Sequence, residues 1–336
     1  MTGAINIKVK NRRNSYNFTL KRNITILRGD SGTGKTTLYD MIKDYNNFGR
    51  KDSGVSISCN NNIVVLEGKD WEQQLEDLSK SIVVIDEGSN FISSQDFARK
   101  VKGSDNYFLI ITRTYLAQLP YSAEEVYHIK GSGKNKSFEK EYKHIDRFYD
   151  NPDPNRFPFQ PNVIITEDSG AGFQFFSNVA ESAGIICVSA KGKSGISKVL
   201  QQYEEDNVII VADGAAIGAE MKGLVKRQEL SHGKLAIFLP ESFEWMILSS
   251  GVIGKNVNSD KLNETQNYAD SVKYMSWEQY FTELLENSTS DSGFNKYDKG
   301  KLSTFYTKSD IKAKILEQMP HADFTAYGKD DIELNL

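Results

Sequence analysis

Cysteine is scarce, with only Cys59 and Cys187 in 336 residues. The two lie far apart inside apolar runs, which excludes a disulfide framework and a zinc cluster. The four histidines, His128, His144, His232 and His321, have no metal-ligand spacing. No Gly-x-Ser-x-Gly elbow or Cys/His pairing points to a covalent nucleophile. No run approaches the roughly 20 apolar residues of a membrane span. The opening Met1-Thr2-Gly3-Ala4-Ile5-Asn6 has no basic stretch followed by an apolar one, so no secretory leader is expected. A cytoplasmic protein without a membrane partner is the expectation. Charge of one sign is also lacking. The net charge of −4 excludes a uniformly basic nucleic-acid coat.

Proline is sparse too, yet four of the seven fall at Pro152, Pro154, Pro158 and Pro161. Because proline lacks an N–H and restricts its predecessor, Asp150 to Pro161 reads as a stiff linker. Apolar residues make up 39% of the chain, enough for real cores on both sides of it. The expected division is residues 1–149, a linker at 150–161, a second α/β domain at 162–255 and a mostly helical region at 256–336. The small polar stretch Asn287 to Gly293 reads as a loop.

Before the linker, strands are expected at Ile5–Val9, Ile24–Leu27, Ile63–Leu66, Ser81–Ile85 and Tyr107–Ile111, with helices at Lys35–Tyr45 and Trp71–Leu78. Continuous apolar runs fit strands buried on both faces of a parallel sheet. After the linker, strands at Val163–Ile165, Ile185–Val188, Val208–Val211 and Leu235–Phe238 alternate with helices at Phe173–Ala183, Gly195–Tyr203 and Gly218–Glu229. That alternation implies βαβ units and a second α/β sheet. Trp277–Glu286 and Asp310–Met319 read as further helices.

The sharpest motif is Gly29-Asp30-Ser31-Gly32-Thr33-Gly34-Lys35-Thr36-Thr37, which matches G-x-x-x-x-G-K-[ST] between a strand and a helix. Such a loop turns backbone N–H groups and a positive helix end toward phosphate oxygens. Lys35 is expected to reach the β- and γ-phosphates, and Thr36 to ligate Mg²⁺. A second strand ends in Asp86-Glu87. There Asp86 is expected to help hold the Mg²⁺, and Glu87 to act as general base toward an attacking water. The strand through Ile111 ends in Thr112-Arg113, which resembles the sensor position of additional-strand P-loop NTPases and implies that Thr112 or Arg113 feels the γ-phosphate, with Arg113 stabilising charge developing in the transition state. No Asn-Lys-x-Asp guanine signature accompanies these residues, so ATP and GTP both remain open.

Together these elements resemble the additional-strand, catalytic-Glu division of P-loop NTPases, over residues 1 to about 130. The resemblance implies Mg-dependent ATP binding and hydrolysis. Such ATPases often complete their sites from a neighbouring subunit, which adds a homo-oligomer to the implied partners. No Leu-Ser-Gly-Gly-type segment supports an ABC transporter-like dimer, and the helical lid of AAA+ motors is lacking.

The second half places acids after apolar runs, at Thr166-Glu167-Asp168, at Asp213 and at Pro240-Glu241 to Glu244. Strand ends are where open parallel sheets build sites, and carboxylates there are hard ligands for Mg²⁺ or Mn²⁺. This order of parts resembles the topoisomerase-primase (Toprim) fold as found in the overcoming-lysogenization-defect ATPase-nucleases. Glu167 matches the acid after the first strand. Asp213 and Gly218 match an Asp-x-Asp-x-x-Gly segment, but Ala215 replaces its second Asp. Glu244 resembles a further acidic position. The resemblance implies a second metal site at Glu167, Asp213 and Glu244, and a domain that acts on or senses nucleic acid in a mobile-element or phage-defence setting. Residues 1–51 carry eleven bases against three acids, a surplus of +8, and the rest carries −12, so a local nucleic-acid contact remains open. Two other expectations stand beside these: a non-catalytic nucleotide switch that binds a protein partner, and a small-molecule kinase.

Overall fold

Apolar runs buried on both faces form the parallel centre of one sheet. In the computed structural model, which describes residues 1–29, 32–131, 141–149, 159–254 and 257–324, the chain divides into two units. One is Met1–Asp150 with Glu264–Ser276, and the other is Asn151–Asn263 with Trp277–Leu336. The region expected as a C-terminal helical tail is therefore divided between them. Most of the proline-rich linker, residues 150–158, lies outside the described residues.

The first unit is a nine-stranded mixed sheet with helices. Its strands are β1 (Ile5–Lys10), β2 (Asn14–Leu20), β3 (Ile24–Arg28), β4 (Ser56–Ser58), β5 (Ile63–Val65), β6 (Ile82–Ile85), β7 (Tyr107–Ile111), β8 (Val126–Gly131) and β9 (Glu141–Arg147). Their spatial order is β4-β1-β2-β9-β8-β3-β7-β6-β5. Strands β5, β6, β7, β3 and β8 run parallel to one another, and β8 pairs with β9 antiparallel. The strand β7 thus lies between β3, which feeds the glycine loop, and β6, which ends before Asp86.

The period of two along these strands divides their side chains between the faces. Leu27, Ile82, Val84, Leu109 and Ile111 join a core with Leu38, Met41 and Ile42 of α1 (Lys35–Ser53). Phe108 turns the other way and meets Phe97 of α3 (Gln95–Val101) edge to face. Phe97 in turn packs on Trp71 of α2 (Trp71–Glu76) and on Phe91. Helix α1 runs past its expected end at Tyr45, and only Gly49, at φ 69° and ψ −179°, interrupts it. The segment Glu264–Ser276 is tied to this unit by backbone and side-chain bonds. Gly3 N–H donates to the Gln266 carbonyl at 2.6 Å, and the Asn23 amide to that of Met275 at 2.9 Å.

The second unit has a four-stranded, wholly parallel sheet of β10 (Val163–Thr166), β11 (Ile186–Ser189), β12 (Val208–Val211) and β13 (Leu235–Phe238), in the order β11-β10-β12-β13. The crossovers contain α4 (Ala171–Ala183), α5 (Ile196–Leu200) and α6 (Met221–Leu230). The helices α7 (Phe243–Ser249), α8 (Asp260–Asn263), α9 (Trp277–Thr289) and α10 (Ser309–Leu316) follow. Phe175 and Phe176 of α4 pack against Phe243 of α7. The loop expected from Asn287 begins later, because α9 continues to Thr289. The Ser288 and Thr289 hydroxyls bond the Leu284 and Leu285 carbonyls one turn back, at 2.6 and 2.9 Å, which lets small polar residues sit at a helix end. No helix among the described residues is long and apolar enough to cross a membrane.

Candidate functional site

In the first unit, three parallel strand ends and the glycine loop converge on one cavity of about 360 Å³. Its lining includes Gly32, Gly34, Lys35, Thr36 and Thr37, then Asp86 and Glu87 after β6, and Arg113 after β7. Asp30 and Ser31 lie outside the described residues. Gly29 and Thr33 contribute through Lys35, whose ammonium donates to the Gly29 carbonyl at 2.6 Å and the Thr33 hydroxyl at 3.3 Å. Lys35 is buried, so a cation is held at the loop by the loop's own oxygens. Gly34 must be glycine for two reasons. Its φ is 101°, and a Cβ there would stand 2.9 Å from the Tyr16 hydroxyl, which donates to the Gly34 carbonyl.

Asp86 Oδ1 is buried and accepts no hydrogen bond. A buried carboxylate oxygen without a donor carries a desolvation cost unless a cation meets it. This oxygen, in the same cavity as the Thr36 hydroxyl, fits a hard divalent ion such as Mg²⁺. Glu87 Oε2 lies 3.2 Å from Arg113 Nε, in a half-exposed ion pair at the rim. Arg113 therefore reaches Glu87 as well as the cavity. Thr112 is buried and accepts the Thr114 N–H at 3.0 Å, and it does not line the cavity.

Two lining residues escaped the sequence reading, Asn14 at the start of β2 and Lys143 on β9. Lys143 Nζ comes within 3.6 Å of the place a Cβ on Gly34 would take. Both lie on strands whose polar patterns, Asn-Ser-Tyr-Asn-Phe-Thr-Leu and Glu-Tyr-Lys-His-Ile-Asp-Arg, hid them. The one available signal was the clustering of basic residues near the glycine loop in a +8 segment, and it does not extend to residue 143.

In the second unit, the order β11-β10-β12-β13 reverses direction between β10 and β12, which makes that crevice the switch point of the sheet. Glu167 follows β10 and Asp213 follows β12, so both stand at the crevice. The Asp213 N–H donates to Glu167 Oε2 at 3.1 Å. Glu244, in the first turn of α7, is buried beside them and lines the same small cavity of about 20 Å³. Burial pushes Glu167 up to about 7, against the opposing Asp213 N–H bond. Burial also raises Asp213 well above the usual carboxylate range, reinforced by Glu278, Glu244 and Glu167.

The sequence reading expected a metal at Glu167, Asp213 and Glu244. The three line one cavity, but its donors come from the chain itself. Tyr297 O–H donates to Glu244 Oε1 at 2.8 Å, and Lys299 Nζ lies 3.9 Å from the same oxygen and 2.6 Å from Glu278 Oε1. Among the described residues no group of three or more His, Cys, Asp or Glu side chains is arranged to hold a metal ion. Asp168 has a different role. Its carboxylate accepts the Gly170 N–H at 3.1 Å and also bonds the Gly172 N–H, closing the turn into α4. Ala215, where the resemblance wants an acid, is buried.

Comparison with known protein families and with curated proteins gave no match.

Proposed function

We propose that the first unit binds a nucleoside triphosphate with Mg²⁺ and hydrolyses it, with ATP as the expected nucleotide. The observation that carries this reading is the single cavity lined by Gly32, Gly34 to Thr37, Asp86, Glu87 and Arg113. The place of β7 between β3 and β6 supports it further, since an additional strand in that position sets Arg113 beside the Asp86-Glu87 strand end.

Each side chain then has a task. The backbone N–H groups of the loop and the first turn of α1 would cradle the phosphates, and Lys35 would exchange the Gly29 carbonyl for phosphate oxygens. Thr36 and Asp86 would hold Mg²⁺, which when bound neutralises phosphate charge. Glu87, oriented by Arg113, would take the proton of the attacking water. Arg113 and Lys143 would face the negative charge that grows on the transferred phosphoryl group. The test is phosphate release from ATP by purified protein. Release is expected in Mg²⁺ and should stop on chelation. No release above background in Mg²⁺ would contradict the hydrolytic reading.

For the second unit, the proposed role is to act on or sense nucleic acid under control of the first. The seating of Lys299 between Glu244 and Glu278 favours a second reading, in which this unit carries no metal chemistry and serves a protein or nucleic-acid partner as a switch. Incubation with DNA and RNA in Mg²⁺ or Mn²⁺ separates them. Cleavage that disappears in Glu167→Gln supports catalysis, and absence of cleavage supports the switch.

A further inference from the structure

The carboxylate pocket of the second unit gathers more negative charge than a small buried space tolerates alone. Glu167, Asp168, Asp213 and Glu244 line it, and Glu278 of α9 faces it from outside. Buried carboxylates need either protons or a cation. The space left is about 20 Å³, room for a single water. Asp168 is occupied by backbone donors, and Glu244 by Tyr297 and Lys299.

The lysine is held in place by its own stretch of backbone. Residues Tyr297 to Leu302 are laced to the rest of the unit at four points. Tyr297 N–H donates to the Thr289 hydroxyl at 3.0 Å, and Ala171 N–H to the Lys299 carbonyl at 2.9 Å. The Gln174 side chain donates to the Gly300 carbonyl and accepts from Leu302 N–H, both at 2.9 Å. The approach is so close that a Cβ on Gly170 would lie 2.5 Å from the Lys299 carbonyl oxygen. A long side chain on a fixed backbone, ending between two carboxylates, is a built feature of the site.

The geometry points to Lys299 as the resident cation of this pocket: its ammonium supplies the positive charge that Glu244 and Glu278 require, and the second unit works without a divalent metal there. Lysine suits the task, because it is a compact point charge on a flexible stem. The neighbouring carboxylates in turn raise its own affinity for the proton against the opposing effect of burial, so it stays charged across the physiological range. This inference concerns only the second unit and holds whether or not the first unit hydrolyses ATP.

The test is the thermal midpoint of nucleotide-free protein in millimolar Mn²⁺ against chelator. For wild type and Lys299→Arg, no shift that depends on Glu167 or Asp213 is expected. Lys299→Met should melt several degrees lower in chelator and regain part of the loss in Mn²⁺, and adding Glu244→Gln should abolish that gain. A Mn²⁺-induced rise in wild type that vanishes in Glu167→Gln or Asp213→Asn would overturn the inference. So would a Lys299→Met protein that melts like wild type and ignores Mn²⁺. If Lys299→Met fails to fold, the wild-type titration still decides.

Discussion

Glu87→Gln should bind ATP with nearly wild-type affinity and lose turnover by roughly 10²–10⁴-fold, the usual contribution of a positioned general base. Glutamine keeps the size and one carbonyl oxygen of glutamate but cannot accept the proton of water. The change also breaks the Glu87–Arg113 pair, whose members are 39% and 54% exposed. An ion pair that open contributes only about 0–1 kcal/mol, so folding should hardly change. Lost turnover with retained binding therefore reports on chemistry alone. Steady-state phosphate release together with an independent binding titration checks both halves. Unchanged turnover would remove Glu87 from the base role and return attention to other groups at the cavity rim.

Lys35→Ala should weaken ATP binding by about 30-fold or more, because truncating one member of a buried charge pair costs about 2–5 kcal/mol. Lys35 is buried, and its ammonium donates to loop oxygens, the Gly29 carbonyl and the Thr33 hydroxyl. Those weak acceptors are what a phosphate would replace. Lys35→Arg should not restore affinity, since a planar fork cannot stand where a compact ammonium fits under the loop. Equilibrium titration with a slowly hydrolysed ATP analogue in Mg²⁺ reads the effect, and the circular dichroism spectrum checks the fold. Affinity equal to wild type would contradict the assignment of the loop.

The candidate nucleotide site was largely legible because its chemistry fixes local sequence. Close backbone approach at Gly34, a lysine after it and acids directly after an apolar run are each visible without neighbours. The parallel centre of the first sheet was legible for the same reason, since Val83-Val84-Ile85 and Phe108-Leu109-Ile110 are buried on both faces. What escaped depends on partners distant in the chain. β2 and β9 are strands of mixed polarity that pair with each other across more than a hundred residues, and they bring Asn14 and Lys143 to the cavity. Glu264–Ser276 joins the first unit through backbone bonds and a few polar side-chain bonds, which leave no periodic pattern in the sequence.

The second unit shows the limit more sharply. Acids after strands pointed to the crevice, and Glu167, Asp213 and Glu244 line one cavity there. The cation facing them comes from Lys299, in a polar stretch that reads as surface. Only the fold reveals that Ala171 and Gln174 hold that stretch over the strand ends. A carboxylate set read without its counter-charge suggests a metal. Read with Lys299, it suggests a neutralised site.

The cavity of the first unit is proposed to take Mg²⁺ and a nucleoside triphosphate. A crystal structure of the protein with Mg²⁺ and a slowly hydrolysed ATP analogue tests it most directly. The expected result is the triphosphate wrapped by Gly32 to Thr37, with Lys35 Nζ moved from the Gly29 carbonyl to phosphate oxygen. Also expected are the Thr36 hydroxyl about 2.1 Å from the metal, and Asp86 on the metal or one water away. Nucleotide bound elsewhere, or a cavity without nucleotide at saturating analogue and Mg²⁺, would contradict it.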